Sequence, residues 1–141
     1  MKLEHARQIV HAAFAEGRKL NLKPLGVSVL DAGGNLVCFE REDKASLMRF
    51  DITYAKAWGS LGMGFSSREL AKRSQTNPVF FSSLAAVSGG HTAPSPGGLL
   101  IADGEGNIVG AVGVSGDTGD NDELCAIAGI KAAGLHVVAD K

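Results

Sequence analysis

Lys56 is the first residue whose type and place suggest chemistry. It stands in a helical run over about residues 46–61, where Met48, Ile52, Ala55 and Gly59 share one face and Lys56 lies at its edge. There a lysine can pair with a carboxylate, or act as a base if desolvation lowers its pKa. It can equally lay its stem over apolar surface and keep its charge in water. Lys131 falls near the centre of the apolar stripe Leu124, Ile127, Ala128, Leu135 and Val138, where it either faces a ligand cleft or subunit boundary or snorkels to water. The histidines, His5, His11, His91 and His136, are dispersed, without the spacing of a metal-ligand set. Cys38 and Cys125 lie 87 residues apart and form neither a disulfide framework nor a zinc set. Around Ser115 and Gly116, backbone N–H groups at a helix start could hold an anion. The acidic Asp117, Asp120, Asp122 and Glu123 in the same stretch oppose a strongly anionic ligand and fit capping of that helix. Hydrolase chemistry is excluded: Gly113-Val114-Ser115-Gly116 is no nucleophile elbow, and no Ser-His-Asp order is defensible.

The elements that must position these groups follow from periodicity. Leu3, Ala6, Val10, Ala13, Phe14 and Gly17 form one stripe of a helix over residues 3–20, with His5 opposite it and His11 at its flank. Alternation over 25–30, the turn Asp31-Ala32-Gly33-Gly34 and a second β run over 36–41 make a hairpin. The pattern D-x-x-G-N-[L/I]-V recurs 72 residues later from Asp103, which predicts a second, similar hairpin. Helical sequence fills about 46–73, broken near Gly62-Met63-Gly64, with Ser66 or Ser67 as the next cap and Asn77-Pro78 as its end. Leu84–Ser88 reads as a short strand, 89–98 as a loop carrying His91, and about 121–140 as the last helix, with His136 on its polar side. The order is α-β-β-α-α-β-β-β-α, an α+β fold with an antiparallel sheet. No phosphate-binding or dinucleotide-binding glycine motif follows a strand and opens a helix.

Composition bounds the function classes. With 141 residues the chain is read as a single domain over 1–141. Fourteen Lys and Arg against fifteen Asp and Glu supply no net basic footprint for nucleic acid or an anionic membrane. No apolar run is long enough to span a bilayer, and the expected setting is the cytoplasm. A second stripe on the 46–61 helix, Leu47, Phe50, Tyr54, Trp58 and Leu61, gives that helix two apolar faces. Either a subunit interface covers the second face or the 74–96 segment does; aromatic enrichment favours the interface.

Val29-Leu-Asp-Ala-Gly-Gly-Asn-Leu-Val37, Tyr54-Ala-Lys-Ala57, Gly97-Gly98, Gly110-Ala-Val-Gly-Val-Ser-Gly116 and Asp122-Glu123 with Ala128-Gly129 resemble the GlcG/HbpS family, which also supplies the C-terminal domain of PduO-type proteins. The resemblance runs in order along nearly the whole chain. It implies a five-stranded antiparallel sheet flanked by helices, profilin-like or PAS-like, assembling into dimers or octamers. Characterised relatives bind haem. One departure stands at Leu100, where the family commonly has proline after Gly-Gly-x; the change restores a backbone N–H. The secretion signal and N-terminal iron-binding segment of the HbpS subgroup are not seen.

The leading expectation is therefore a small-ligand-binding protein, with haem or a related tetrapyrrole as cofactor. Lys56 would be the counter-ion to the propionates, and Gly97, Gly98, Ser115, Gly116 and Asp122 would complete the site between sheet and helix. Haem needs an axial ligand, for which His11 stands first and His91 second. The alternative is a catabolic isomerase or tautomerase acting on an oxo-acid, with Lys56 or Glu123 transferring the proton. A scaffold subunit that has kept the fold without a site is the third reading.

Overall fold

A computed structural model describes all residues 1–141. Helix α1 (Leu3–Lys19) precedes the hairpin β1 (Gly26–Asp31) and β2 (Leu36–Arg41). Three helices follow, α2 (Arg49–Met63), α3 (Ser67–Thr76) and α4 (Pro78–Val87), then the hairpin β3 (Gly98–Ala102) and β4 (Ile108–Ser115). Helix α5 (Gly119–Ala132) and the short β5 (His136–Val137) end the chain. The five strands form one sheet in the order β2-β1-β4-β3-β5, with every neighbouring pair antiparallel. This is the expected α+β architecture.

The two hairpin turns repeat atom for atom. Asp31 Oδ1 accepts from the backbone N–H of Gly33 and Asn35, and Asp103 Oδ1 from those of Glu105 and Asn107. Gly34 and Gly106 take the left-handed position at φ 83° and 86°, which a side chain would strain. These amides hold both carboxyls below the ordinary carboxylate range.

One face of the sheet carries α1 and α5. Ala6, Ile9, Val10 and Ala13 meet Val27, Val29, Leu99, Ile101, Val112 and Val114 of the strands, with Cys125, Ala126 and Ile130 of α5. On the other face α2 covers Leu30, Leu100 and Ala111 through Ala57. That contact is close because the strands present Gly98, Gly113 and Ser28 beneath the helix. A Cβ on Gly113 would run into the Thr53 carbonyl oxygen, and Ser28 and Thr53 share a hydroxyl hydrogen bond of 2.7 Å.

Two segments differ from the sequence reading. Of residues 84–88, expected as a strand, 84–87 are the end of α4 and Ser88 is its cap; Pro78 in its first turn starts a helix that so short an apolar run does not reveal. The fifth strand is β5, inside the stretch expected as the last helix. Helix α5 stops at Ala132 because Gly134 turns left-handed (φ 73°), with Leu135 N–H donating to Ile130 O and Gly134 N–H to Lys131 O. That is a Schellman close. The buried face of α5 is Asp122, Cys125, Ala126, Gly129 and Ile130, so Leu124 and Lys131 are exposed.

Thr118 caps α5, its hydroxyl accepting from Asn121 N–H at 3.3 Å. Asp117 accepts from the Asn121 side-chain amide and from the backbone N–H of Thr118 and Lys23, which together pull its carboxyl down to about 2. A carboxyl depressed in the fold contributes stability that is present above its ordinary 3.8 and lost as pH falls through the folded value. Thermal melts are therefore expected to hold from pH 7 to 5 and to drop as pH falls from about 4 to 2, with a smaller drop in Asp117→Asn.

Candidate functional site

Lys56 is buried, with 2% of its surface exposed. Its Nζ donates to Val114 O at 2.9 Å and to Asp122 Oδ2 at 3.1 Å, while Asp122 Oδ1 accepts from Asp117 N–H at 2.9 Å. Lys56 belongs to the layer on one face of the sheet and Asp122 to the layer on the other, so the ion pair ties the two past the strand ends. Burial pushes the Lys56 ammonium down and Asp122 pulls it back; burial likewise pushes the Asp122 carboxyl up against the opposing pull of Lys56. Ser115 Oγ accepts from Arg49 Nη1 at 2.7 Å, and Arg49 Nε is buried without a partner.

The glycines expected at the site fill it. At Gly97 a Cβ would come within 2.6 Å of Val114 O and 2.9 Å of Lys56 Nζ; at Gly98 it would run into Lys56 O, and at Gly116 into Pro24 O. Lys56, Gly97, Gly98, Ser115, Gly116 and Asp122 are thus brought together as expected, but as a packed knot. The flat cavity expected between the sheet and α2 is replaced by backbone-to-backbone contact. Glu123, one position beyond the knot, pairs instead with Arg68 Nε at 3.1 Å on the outside of α3.

The histidines divide. His11 lies on α1, across the sheet from Lys56, with its side chain 63% exposed and Nε2 3.1 Å from Glu40 Oε2. One haem in one chain cannot reach both His11 and Lys56. His91 sits on the loop after α4, its backbone N–H held by Ser88 Oγ at 3.1 Å. Its ring packs on Tyr54 (centroids 5.1 Å, 67°) and on Trp58 (5.3 Å, 51°). Phe39, Phe50 and Tyr54 continue the row at 5.1 and 5.7 Å.

Local sequence explains this row. Phe50, Tyr54 and Trp58 recur at four-residue steps and share one side of α2. Tyr54 donates its hydroxyl to Gly34 O at 3.2 Å, and Trp58 lies over Gly34 of the first hairpin turn. Gly59 lets the His91–Thr92 backbone settle on the helix, where a Cβ would already touch His91 O at 3.4 Å. Beside the row lies a cavity of about 400 Å³, lined by Phe50, Asp51, Tyr54, Gly89, Gly90 and His91.

A family model described as haem degrading protein HbpS-like matches residues 1–131. The chain belongs to the HbpS-like family. Among the relatives of this HbpS-like chain is an uncharacterized 15.0 kDa protein of the dhaT–dhaS intergenic region of Citrobacter freundii, 30% identical over 124 residues, covering 88% of this chain and 85% of that one. A double mutant of Streptomyces reticuli HbpS superposes with TM-score 0.79 at 30% identity, over 93% of this chain and 85% of that one. A PduOC:heme complex superposes with TM-score 0.86 at 24% identity, over 96% of each chain, and shows the shared fold.

In this HbpS-like chain the residue at the family's usual proline, Leu100, is an ordinary strand position paired with Ala111, and its carbonyl accepts from Val138 N–H at 3.2 Å. Of the two covers open for the second stripe, a subunit interface or the 74–96 segment, the latter supplies His91 over Tyr54 and Trp58. The four-residue spacing marks the Phe50–Tyr54–Trp58 row, but not the place of His91 on it. Of the expected interface stripe, Tyr54, Trp58 and Leu61 are half-buried within the chain, while Phe50 and Leu47 (82%) remain exposed.

Proposed function

We propose that this chain binds haem or a closely related tetrapyrrole, with His91 as the axial ligand and the Phe50–Tyr54–Trp58 side of α2 as the apolar wall. The observation that carries this reading is an exposed imidazole, oriented by two aromatic rings rather than by an ion pair, at the rim of a 400 Å³ cavity. A volume of that size lies in the range of small-molecule sites. His11 becomes the weaker choice of ligand: Glu40 holds its Nε2, and the cavity beside Glu40 is lined chiefly by charged residues. The family's description, which names haem, adds support.

Lys56 is no counter-ion to the propionates in this reading, because its ammonium is sealed and already partnered. The same burial removes it as a proton-transfer group for an oxo-acid, and Glu123, tied to Arg68, has no neighbouring catalytic partner in the knot. The chains self-associate in this reading, a second copy covering Leu47 and Met48, exposed just before α2. Light scattering is expected to give a dimer or larger assembly; a monomer rejects that interface.

Titration of the purified protein with hemin tests the proposal. A saturable Soret shift at about one equivalent per chain is expected, as one axial site requires. A rise that never saturates removes the haem reading.

A further inference from the structure

No Lys, Arg, Asp or Glu occurs between Arg73 and Asp103, and helix α4 lies within that stretch. Its sequence Pro-Val-Phe-Phe-Ser-Ser-Leu-Ala-Ala-Val contains no buried residue. Phe81 and Leu84 turn inward and are half-buried, while Val79 and Val87 are 81% and 79% exposed. Both ends of the helix are firmly closed. Phe81 N–H donates to Asn77 O at 3.1 Å; beyond Val87 the N–H of Gly90 donates to Ala85 O and that of Gly89 to Ala86 O, a two-bond Schellman close. An uncharged apolar helix, formed from end to end, belongs in an interior.

The polar groups on its outer side are satisfied within the helix. Ser83 donates its hydroxyl to Phe80 O at 2.6 Å and Ser82 to Val79 O at 3.1 Å, so neither presents an unpaired donor to a neighbour. Val79, Ser83 and Val87 recur at four-residue steps and form one exposed ridge, large at both ends and small in the middle. That ridge matches itself when reversed. A two-fold axis over Ser83 brings Val79 of each copy against Val87 of the other and lets the two helices close over the serines.

We infer that α4 is the contact between two copies of this chain, packed antiparallel about a two-fold axis at Ser83. The second copy rests on the self-association proposed above; its seat on α4 does not. The exposed area suffices for such a contact. Phe50 lines one cavity with Gly89 and Gly90, so the patch runs on from the end of α4 to Leu47 and Met48 ahead of α2. Val79, Phe80, Val87, Leu47 and Met48 together offer roughly 600 Å² on each copy, most of the about 800 Å² per partner that a stable complex buries. The symmetry of the ridge is what a second copy requires and a different protein does not. A lipid surface is the poorer match, because α4 carries no Lys or Arg to meet headgroups.

Sedimentation of the parent and Ser83→Arg proteins tests this. Ser83 is exposed in the single chain, so the variant is expected to keep the parent's helical circular dichroism. At the axis two arginines would face each other; association is expected to weaken about 100-fold or more, giving particles of half the parent's mass or less. Ser83→Cys reads the axis itself. Mild oxidation with copper phenanthroline is expected to join two copies through residue 83, which meets its own counterpart, whereas the parent, with Cys38 and Cys125 alone, stays single. That variant decides the matter if Ser83→Arg folds poorly. A parent that assembles, with Ser83→Arg keeping its mass and Ser83→Cys left unjoined, overturns the α4 contact and leaves self-association standing. A monomeric parent overturns both, and its sedimentation with phosphatidylcholine vesicles would make a lipid surface the occupant of α4 instead.

Discussion

Lys56→Met is expected to destabilise the fold by about 3–5 kcal/mol, because it leaves the Asp122 carboxylate buried without its cation. For a chain of this length that is a fall in Tm of roughly 10–20 °C. The loss belongs to the orphaned charge more than to the pair itself, since two ions taken out of water recover little net energy from each other. Lys56→Met combined with Asp122→Asn is therefore expected to regain most of it. The asparagine is neutral and keeps an oxygen for the Asp117 N–H that Asp122 now accepts. Denaturant melts of the three variants measure both effects. A loss below about 1 kcal/mol in the single variant would mean that the ammonium reaches water and that no tie crosses the layers.

Gly113→Ala is expected to cost nearly as much, toward or beyond the upper end of the 1–3 kcal/mol typical of overpacking. The added methyl would run into the Thr53 carbonyl oxygen and stand 3.1 Å from Ala57 N, both of them backbone atoms that no rotamer change can move. Helix α2 would have to lift off the sheet, carrying Lys56, Tyr54 and Trp58 with it. Gly104→Ala, in an open hairpin turn, is the control and is expected to stay within about 0.5 kcal/mol. A neutral Gly113→Ala would mean that free space exists under α2 after all, and would restore the location first expected for the ligand.

The parts of this molecule legible in its sequence are those set by local chemistry. Asp31 and Asp103 announce their turns because each carboxylate bonds its own following amides. Gly64 ends α2 at φ 81°, and Ser66 opens α3 by accepting from Glu69 N–H, where the helix signals stand. Helix α4 was not legible, because Leu84–Ser88 in isolation fits either period and only Pro78 marks the start. The phase of the last helix is not legible, because Asp122, a charged residue, occupies the buried stripe and its burial depends on Lys56 from another layer. The site divides in the same way. Lys56, Gly97 and Gly98 lie side by side, as their motifs suggest, but whether glycine makes room for a ligand or for a backbone is decided by what packs above it. His91 joins Tyr54 and Trp58 through a contact between distant segments, to which no local pattern points.

Hemin binding by the parent, His91→Ala and His11→Ala proteins, followed by the Soret band, tests the central claim most directly. A saturable, histidine-type spectrum is expected in the parent and in His11→Ala, with loss of that ligation and affinity weakened about 100-fold in His91→Ala. An unchanged spectrum and affinity in His91→Ala, with the loss appearing in His11→Ala instead, would contradict it.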